Sequence, residues 1–188
     1  MAAWALISGS RGVDKSRVAA AVVAALTARG LTVGGVLQAP LDPAGARQGH
    51  VAVRVGSAGE RVALGRRGAP IEGSRPGARR DFCGFVFDDD AFAEARGWVR
   101  EASLRDDVVL IDEVSKVETA RAGHHDAVQA ALAGRAIVVL VVRAEQLFDV
   151  VERFSLGDAL AILDAEDDAA RSAFVDAVAR AARGDGTT

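Results

Sequence analysis

The chain has 188 residues, 50% of them hydrophobic, and a formal net charge of −3, enough for one substantial core and no reason to expect disorder across its body. The acidic balance argues against broad electrostatic binding to nucleic acid or an anionic membrane, and no segment approaches the roughly 18 consecutive apolar residues of a membrane span. The N-terminus lacks the charged start and long apolar core of a secretion signal, while a single cysteine, Cys83, excludes an intramolecular disulfide and suits a reducing cytoplasm.

In chain order, Ala3 to Ile7 is a short apolar run suited to a first strand. Lys15 to Ala28, with Val18, Val22, Val23 and Leu26 at helical spacing, reads as a helix ended by Gly30. Between them lies Gly9-Ser10-Arg11-Gly12-Val13-Asp14-Lys15-Ser16, close to the phosphate-binding pattern G-x-x-x-x-G-K-[ST]. In such a loop, backbone N–H groups wrap a phosphate. The lysine reaches the β and γ oxygens, and the Ser/Thr hydroxyl ligates magnesium. A strand, a glycine-rich turn and a helix start provide the setting, because a helix N-terminus presents unpaired N–H groups to an anion.

Asp14 stands where the pattern has its second glycine. It adds a Cβ at the point of close backbone approach. It also brings a carboxylate near an anion, and like charges about 4 Å apart cost about 4 kcal/mol at an effective dielectric near 20. Three outcomes are open: the side chain points outward, it pairs with Lys15 and suppresses binding, or it helps hold a cation.

Thr32 to Leu37 suggests a second strand, followed by a turn-rich loop from Ala39 to Gly49. His50 to Val55 and Arg61 to Leu64 alternate about Gly56-Ser57-Ala58-Gly59, a hairpin signature. The Gly/Pro/Arg stretch 65–80, with Arg66-Arg67 and Arg79-Arg80, reads as a solvated loop. Phe82 to Phe87 is expected as a third core strand, and Asp88-Asp89-Asp90 as the cap of a helix carrying Phe92, Ala95 and Trp98.

Val108 to Ile111 is an uninterrupted apolar run, the mark of a parallel strand buried on both faces, and it closes on Asp112-Glu113. The carboxyl ends of such strands are where doubly wound sheets place ligands. There Asp112 can hold a magnesium-bound water, and Glu113 can orient or deprotonate an attacking water. Helices are expected over Asp126 to Ala133, Ala144 to Phe154 and Glu166 to Ala182, and a strand over Ile137 to Val142. His124-His125 with Cys83 lacks zinc-ligand spacing, so hydrogen bonding near a helix start is the preferred reading. Arg143, at a strand's carboxyl end, is read either as a base or phosphate contact or as a surface ion pair. Phe148 is expected in the core, with base stacking as the alternative.

Of the 23 basic residues only Lys15 and Lys116 are lysine. Both fall in these two motifs, the second being Asp112-Glu113-Val114-Ser115-Lys116-Val117-Glu118. Together with Gly34-Gly35-Val36 and Arg47-Gln48-Gly49-His50, the order resembles the small P-loop nucleoside-triphosphatases of the cancer-related type, over roughly residues 3 to 145. Departures are Asp14 for glycine, His50 for an aromatic and Ser115 for glycine. The chain is similar, too, to bacterial relatives with degenerate phosphate loops.

The resemblance implies an α/β fold, a P-loop NTPase-like three-layer sandwich with a mostly parallel sheet and a β-hairpin insertion. Length and composition suit one domain over 1–183, and Gly184-Asp185-Gly186-Thr187-Thr188 reads as a flexible tail over 184–188. The resemblance also implies hydrolysis of a nucleoside triphosphate, ATP or GTP, to the diphosphate with Mg2+. Gly9, Ser10, Arg11, Gly12, Val13, Asp14, Lys15 and Ser16 would cradle the phosphates, with Ser16 and Asp112 on the metal and Glu113 as base. Lys15 and Lys116 would neutralise transition-state charge. Arg47 would meet the γ-phosphate or close over the site, with a solvated loop arginine as the equal alternative. No nucleic-acid or membrane partner is expected, and the chain is expected as a monomer or small homo-oligomer. A nucleotide-binding regulatory or cofactor/metal-assembly module with little hydrolysis is the alternative function, and a small nucleotide-using transferase a third.

Overall fold

The computed structural model describes residues 2–41 and 48–184. Arg47 and residues 185–188 of the expected tail lie outside the described residues. β1 (Trp4–Gly9), β2 (Val33–Pro40), β7 (Val108–Val114) and β8 (Ile137–Arg143) are the long apolar runs of the sequence. They pair in parallel, and their side chains are buried along most of their length because helices cover both faces. In the sheet these four lie side by side in the order β2-β7-β8-β1.

One face carries α1 (Lys15–Ala28) and α6 (Arg171–Ala182), which bury Val18, Val22, Leu26, Phe174 and Val178 against Ile7, Leu110 and Val139. The other carries α2 (Asp89–Arg105), α4 (His125–Ala133) and α5 (Leu147–Phe154), which bury Phe92, Trp98, Val128 and Phe154 around Leu6, Ile111 and Leu140. Each fully buried side chain of this size contributes about 1.5–3 kcal/mol. The result is the expected α/β sandwich of helices, sheet and helices.

The sheet is mixed. Beyond β2, the strands β3 (Gly49–Arg54), β4 (Arg61–Arg67), β6 (Phe85–Asp88) and β5 (Arg79–Phe82) all pair antiparallel. The expected hairpin is β3–β4. Phe82 to Phe87 is not one core strand: the chain reverses at Cys83-Gly84, where φ is 51° and 79°. Two consecutive positive φ values fit a tight hairpin turn, so the segment becomes the outermost hairpin of the sheet. The loop reading of 65–80 therefore holds for 68–78, and only its two ends are strand. Arg66 and Arg67 end β4, while Arg79 and Arg80 open β5, with Arg80 ion-paired to Asp89 at 2.9 Å.

Asp88 caps α2 as expected, its carboxylate accepting from the N–H groups of Asp90 and Ala91 at 2.9 and 3.3 Å. Two short elements were not foreseen: α3 (Lys116–Thr119) and the edge strand β9 (Ile162–Asp164), which pairs in parallel with β1. The final helix starts at Arg171 rather than Glu166. Phe148 is 77% exposed, which corrects the core expectation. On α5 the inward side is Val150 and Phe154, flanked by Leu147 and Val151, and Phe148 points away from it.

Candidate functional site

The phosphate-loop residues run from the end of β1 into the first turn of α1. Gly12 sits at φ +100°, and the Val13 N–H donates to the Ser10 carbonyl at 3.3 Å, closing the turn. Lys15 is only 5% exposed although charged. Its Nζ folds back over the loop and donates to the Ser10 carbonyl at 3.0 Å and, at the limit of reach, to that of Val13 at 3.5 Å.

Asp14 realises the first of its three outcomes. It is exposed and serves as the N-cap of α1, its carboxylate accepting from the Arg17 N–H at 3.1 Å rather than meeting Lys15. Its φ of −79° is ordinary for any residue, so the missing glycine imposes no backbone strain.

Two carboxylates that sequence reasoning missed hold the rim of the loop. Glu145 accepts from the Arg11 N–H at 3.3 Å, and Glu166 accepts from the Ser10 hydroxyl at 3.2 Å. Both stand just beyond the carboxyl ends of strands, β8 and β9, that flank β1. Glu145 could have been found from the strand-end rule that singled out Arg143. Glu166 could not, because β9 was unrecognised. Hydrogen bonding, with lesser help from Lys15 and Arg143, holds the Glu145 carboxyl below its usual range.

Asp112 is 0% exposed at the end of β7. It accepts from the N–H groups of Gln38 and Glu113 at 2.9 and 2.8 Å, and the nearby Ser16 hydroxyl also favours its charged form. Burial pushes its carboxyl up to about 6, against these hydrogen bonds, which favour the charged form. The pairing of β7 with β8 slips by a bulge between Ile111 and Val114, lifting Asp112 and Glu113 out of the ladder. Glu113 adopts φ +56°, a strained conformation for this residue type, and pairs with Arg143 at 3.1 Å.

Arg143 lies opposite Gly9 in the β1–β8 register, so it stands beside the start of the loop. Lys116 is exposed at the first position of α3, and its N–H donates to Gln146 Oε1 at 3.1 Å. Lys15, Ser16, Asp112, Glu113 and Arg143 thus gather at one edge of the sheet, the carboxyl edge of β1, β7 and β8. Arg47 falls outside the described residues. His124 is wholly buried and makes no side-chain cap, which corrects the hydrogen-bonding expectation for its ring. The ring of His125 instead meets the Glu118 carbonyl at 2.8 Å. Cys83 lies exposed on the outermost hairpin, and among the described residues no three His, Cys, Asp or Glu side chains gather as a metal cluster.

A family model described as NTPase matches residues 5–167, spanning both motifs and the strands that carry them. The chain belongs to this family of small P-loop NTPases. The chain is similar over nearly its whole length to two solved structures. The solution structure of a human cancer-related nucleoside triphosphatase matches with a TM-score of 0.69 and 21% identity, covering 99% of this chain and 100% of that one. The crystal structure of THEP1 from the hyperthermophile Aquifex aeolicus matches with a TM-score of 0.65 and 17% identity, covering 92% and 95%. At these identities the likeness shows the shared fold. No curated protein matches the chain at a significant level. Family membership makes a nucleoside triphosphate the ligand class and a divalent metal the usual companion. No helix among the described residues is long and apolar enough to cross a membrane.

Proposed function

We propose that this protein, as one domain over 1–183, is a slow magnesium-dependent nucleoside-triphosphatase that releases phosphate from ATP or GTP. The observation that carries the reading is the buried Asp112 carboxylate with the Ser16 hydroxyl near enough to favour its charged form, beside the buried Lys15. A hydroxyl and a carboxylate are hard oxygen donors, the set that suits magnesium. Ser16 would ligate the ion and Asp112 would hold its waters. When bound, the ion neutralises charge on the β and γ phosphates.

The remaining steps belong to the chain. Lys15 leaves the Ser10 carbonyl for the β and γ oxygens, and the loop from Gly9 to Asp14 offers N–H groups to the same phosphates. Glu113 takes a proton from the attacking water at its carboxylate, and Arg143, already paired to it, contacts phosphate from the strand end. Lys116 supplies a second positive charge as the γ-phosphate departs. We place the protein in the cytoplasm as a monomer or small homo-oligomer.

Two features favour low turnover. The Asp14 carboxylate and the Glu145 carboxylate occupy N–H groups of Arg17 and Arg11 at the loop. Arg143 also holds the Glu113 carboxylate in an ion pair at 3.1 Å, a contact that competes with an attacking water for the same oxygens. A module that binds nucleotide without hydrolysis is the second reading, on the same two contacts. A panel of nucleoside triphosphates with magnesium, read for binding and phosphate release in parallel, tests both. In that panel Asp14→Gly should bind triphosphate more tightly. A rise in hydrolysis as well supports the enzyme, binding gains alone support the module, and weaker binding would show that the cap Asp14 gives α1 matters more than the N–H it occupies.

A further inference from the structure

Glu118 has no part in the steps above, yet it is 2% exposed and sits at the centre of the segment that carries Lys116. Its two carboxylate oxygens are divided between the two ends of that segment. Oε2 accepts from the Ser115 N–H at 2.9 Å and weakly from the Ser115 hydroxyl at 3.4 Å. Oε1 accepts from the His124 N–H at 3.1 Å.

The surroundings are shaped around this fork. Gly123 holds φ +57°, and a Cβ there would run into Glu118 Oε1 and Val117 Cγ1. Arg96 of α2 donates to the Gly123 carbonyl at 2.8 Å, and the His125 ring meets the Glu118 carbonyl. The His124 ring is buried edge-on against Phe92, 5.1 Å between centroids, with neither nitrogen hydrogen-bonded among the described residues. Besides backbone bonds such as Ala122 N–H to the Val117 carbonyl and Val128 N–H to that of His124, the far end of the segment is held by the side chains of Glu118 and Arg96.

We propose that Glu118 is a positioning residue, whose carboxylate clamps residues 115 and 124 together and so fixes Lys116 and the end of β7 opposite the phosphate loop. The inference rests on the proposed roles of Lys116 and Glu113. A path of contacts leads outward from the clamp. The Lys116 N–H is bonded to Gln146, and the neighbouring Glu145 is bonded to the Arg11 N–H of the loop.

Only a carboxylate serves both ends, since donors converge on each of its oxygens. A glutamine would satisfy one end and turn its own N–H2 toward a donor at the other. Burial pushes the Glu118 carboxyl up to about 7, a cost that an apolar residue filling the same space would avoid.

The test is amide hydrogen exchange and steady-state turnover on the full chain at pH 8, where the carboxylate is ionised, for Glu118→Gln, Gly123→Ala and the double variant. In Glu118→Gln at least one of the Ser115 and His124 amides, the one left facing the glutamine N–H2, should lose roughly tenfold or more of its protection, as for loss of a charge-assisted bond. Amides of Val108 to Ile111 should keep theirs. The kcat should fall roughly 10–100-fold with KM little changed, the signature of misplaced groups. Gly123→Ala attacks the same contact from the other side, so the double variant should be no slower than the slower single one. Unchanged protection, protection lost throughout β7, or lost clamp protection with full kcat would overturn the proposal. A wild type that turns over no nucleotide refutes the proposed hydrolysis instead, while the exchange data still decide whether Glu118 holds the segment.

Discussion

A lysine ammonium is costly to bury, and Lys15 tolerates its position only because two loop carbonyls accept from it. Those contacts are replaceable by phosphate oxygens, which would bring a full opposite charge. Lys15→Ala should therefore abolish measurable nucleotide affinity while the fold persists, charge-assisted contacts of this kind being worth about 1.5–3 kcal/mol each. Calorimetry on the folded variant checks it, and unchanged affinity would remove Lys15 from the site. Glu113→Gln should lower turnover by roughly 10²–10⁴-fold with little effect on binding. Equal loss of both would assign Glu113 to the metal or to structure.

The motif residues were legible because each needs a fixed backbone setting that leaves a trace in the sequence: an apolar strand, then a turn, then a helix start. Asp14 shows the limit. Its type and position were plain, but only the structure reveals that its carboxylate turns outward to cap α1. Glu145 and Glu166 carry no motif at all and become visible only when β8 and β9 bring them to the loop.

Among the elements, the buried parallel strands and the long helices α1 and α2 announced themselves through uninterrupted apolar runs and helical spacing. The hairpin β5–β6 did not. Its tight turn uses Cys83 at φ 51°, a residue type that signals no turn, so the strand pair read as one strand. A strand of only three residues, β9, has too little pattern to detect. Phe148 misled because an aromatic in an apolar helix usually packs inward, whereas here it lies off the face formed by Val150 and Phe154.

The cap on α2 offers a clean check at this scale. Asp88→Ala removes acceptors from two N–H groups, one of them buried, and should cost about 1 kcal/mol. For a domain of this size that is roughly 2–4 °C in Tm. A thermal scan showing no shift would mean that water satisfies the helix start equally well.

Across the whole molecule, two buried carboxyls set a pH dependence. Burial raises Asp112 to about 6 and Glu118 to about 7, both above their values of 3.8 and 4.5 in the unfolded chain. Between those values the folded state binds more protons than the unfolded one, so stability falls as pH rises from about 4 to about 7. Glu118→Gln removes one of the two groups. Relative to wild type, the variant should therefore be more stable at pH 7.5 than at pH 5, as denaturant unfolding at the two values would show. A difference that does not vary with pH would mean that Glu118 titrates normally. The same two groups show a molecule that keeps charged oxygens buried beside its candidate site at a cost in stability.

The central claim is that Ser16 and Asp112 form the metal end of a working hydrolase. Its most direct test is a magnesium titration of phosphate release from a saturating nucleoside triphosphate, with wild type and Asp112→Asn side by side. The account predicts release by the wild type that depends on magnesium, and release near background for Asp112→Asn although the variant stays folded. Equal release with and without divalent metal, or an Asp112→Asn variant as active as wild type, would contradict it.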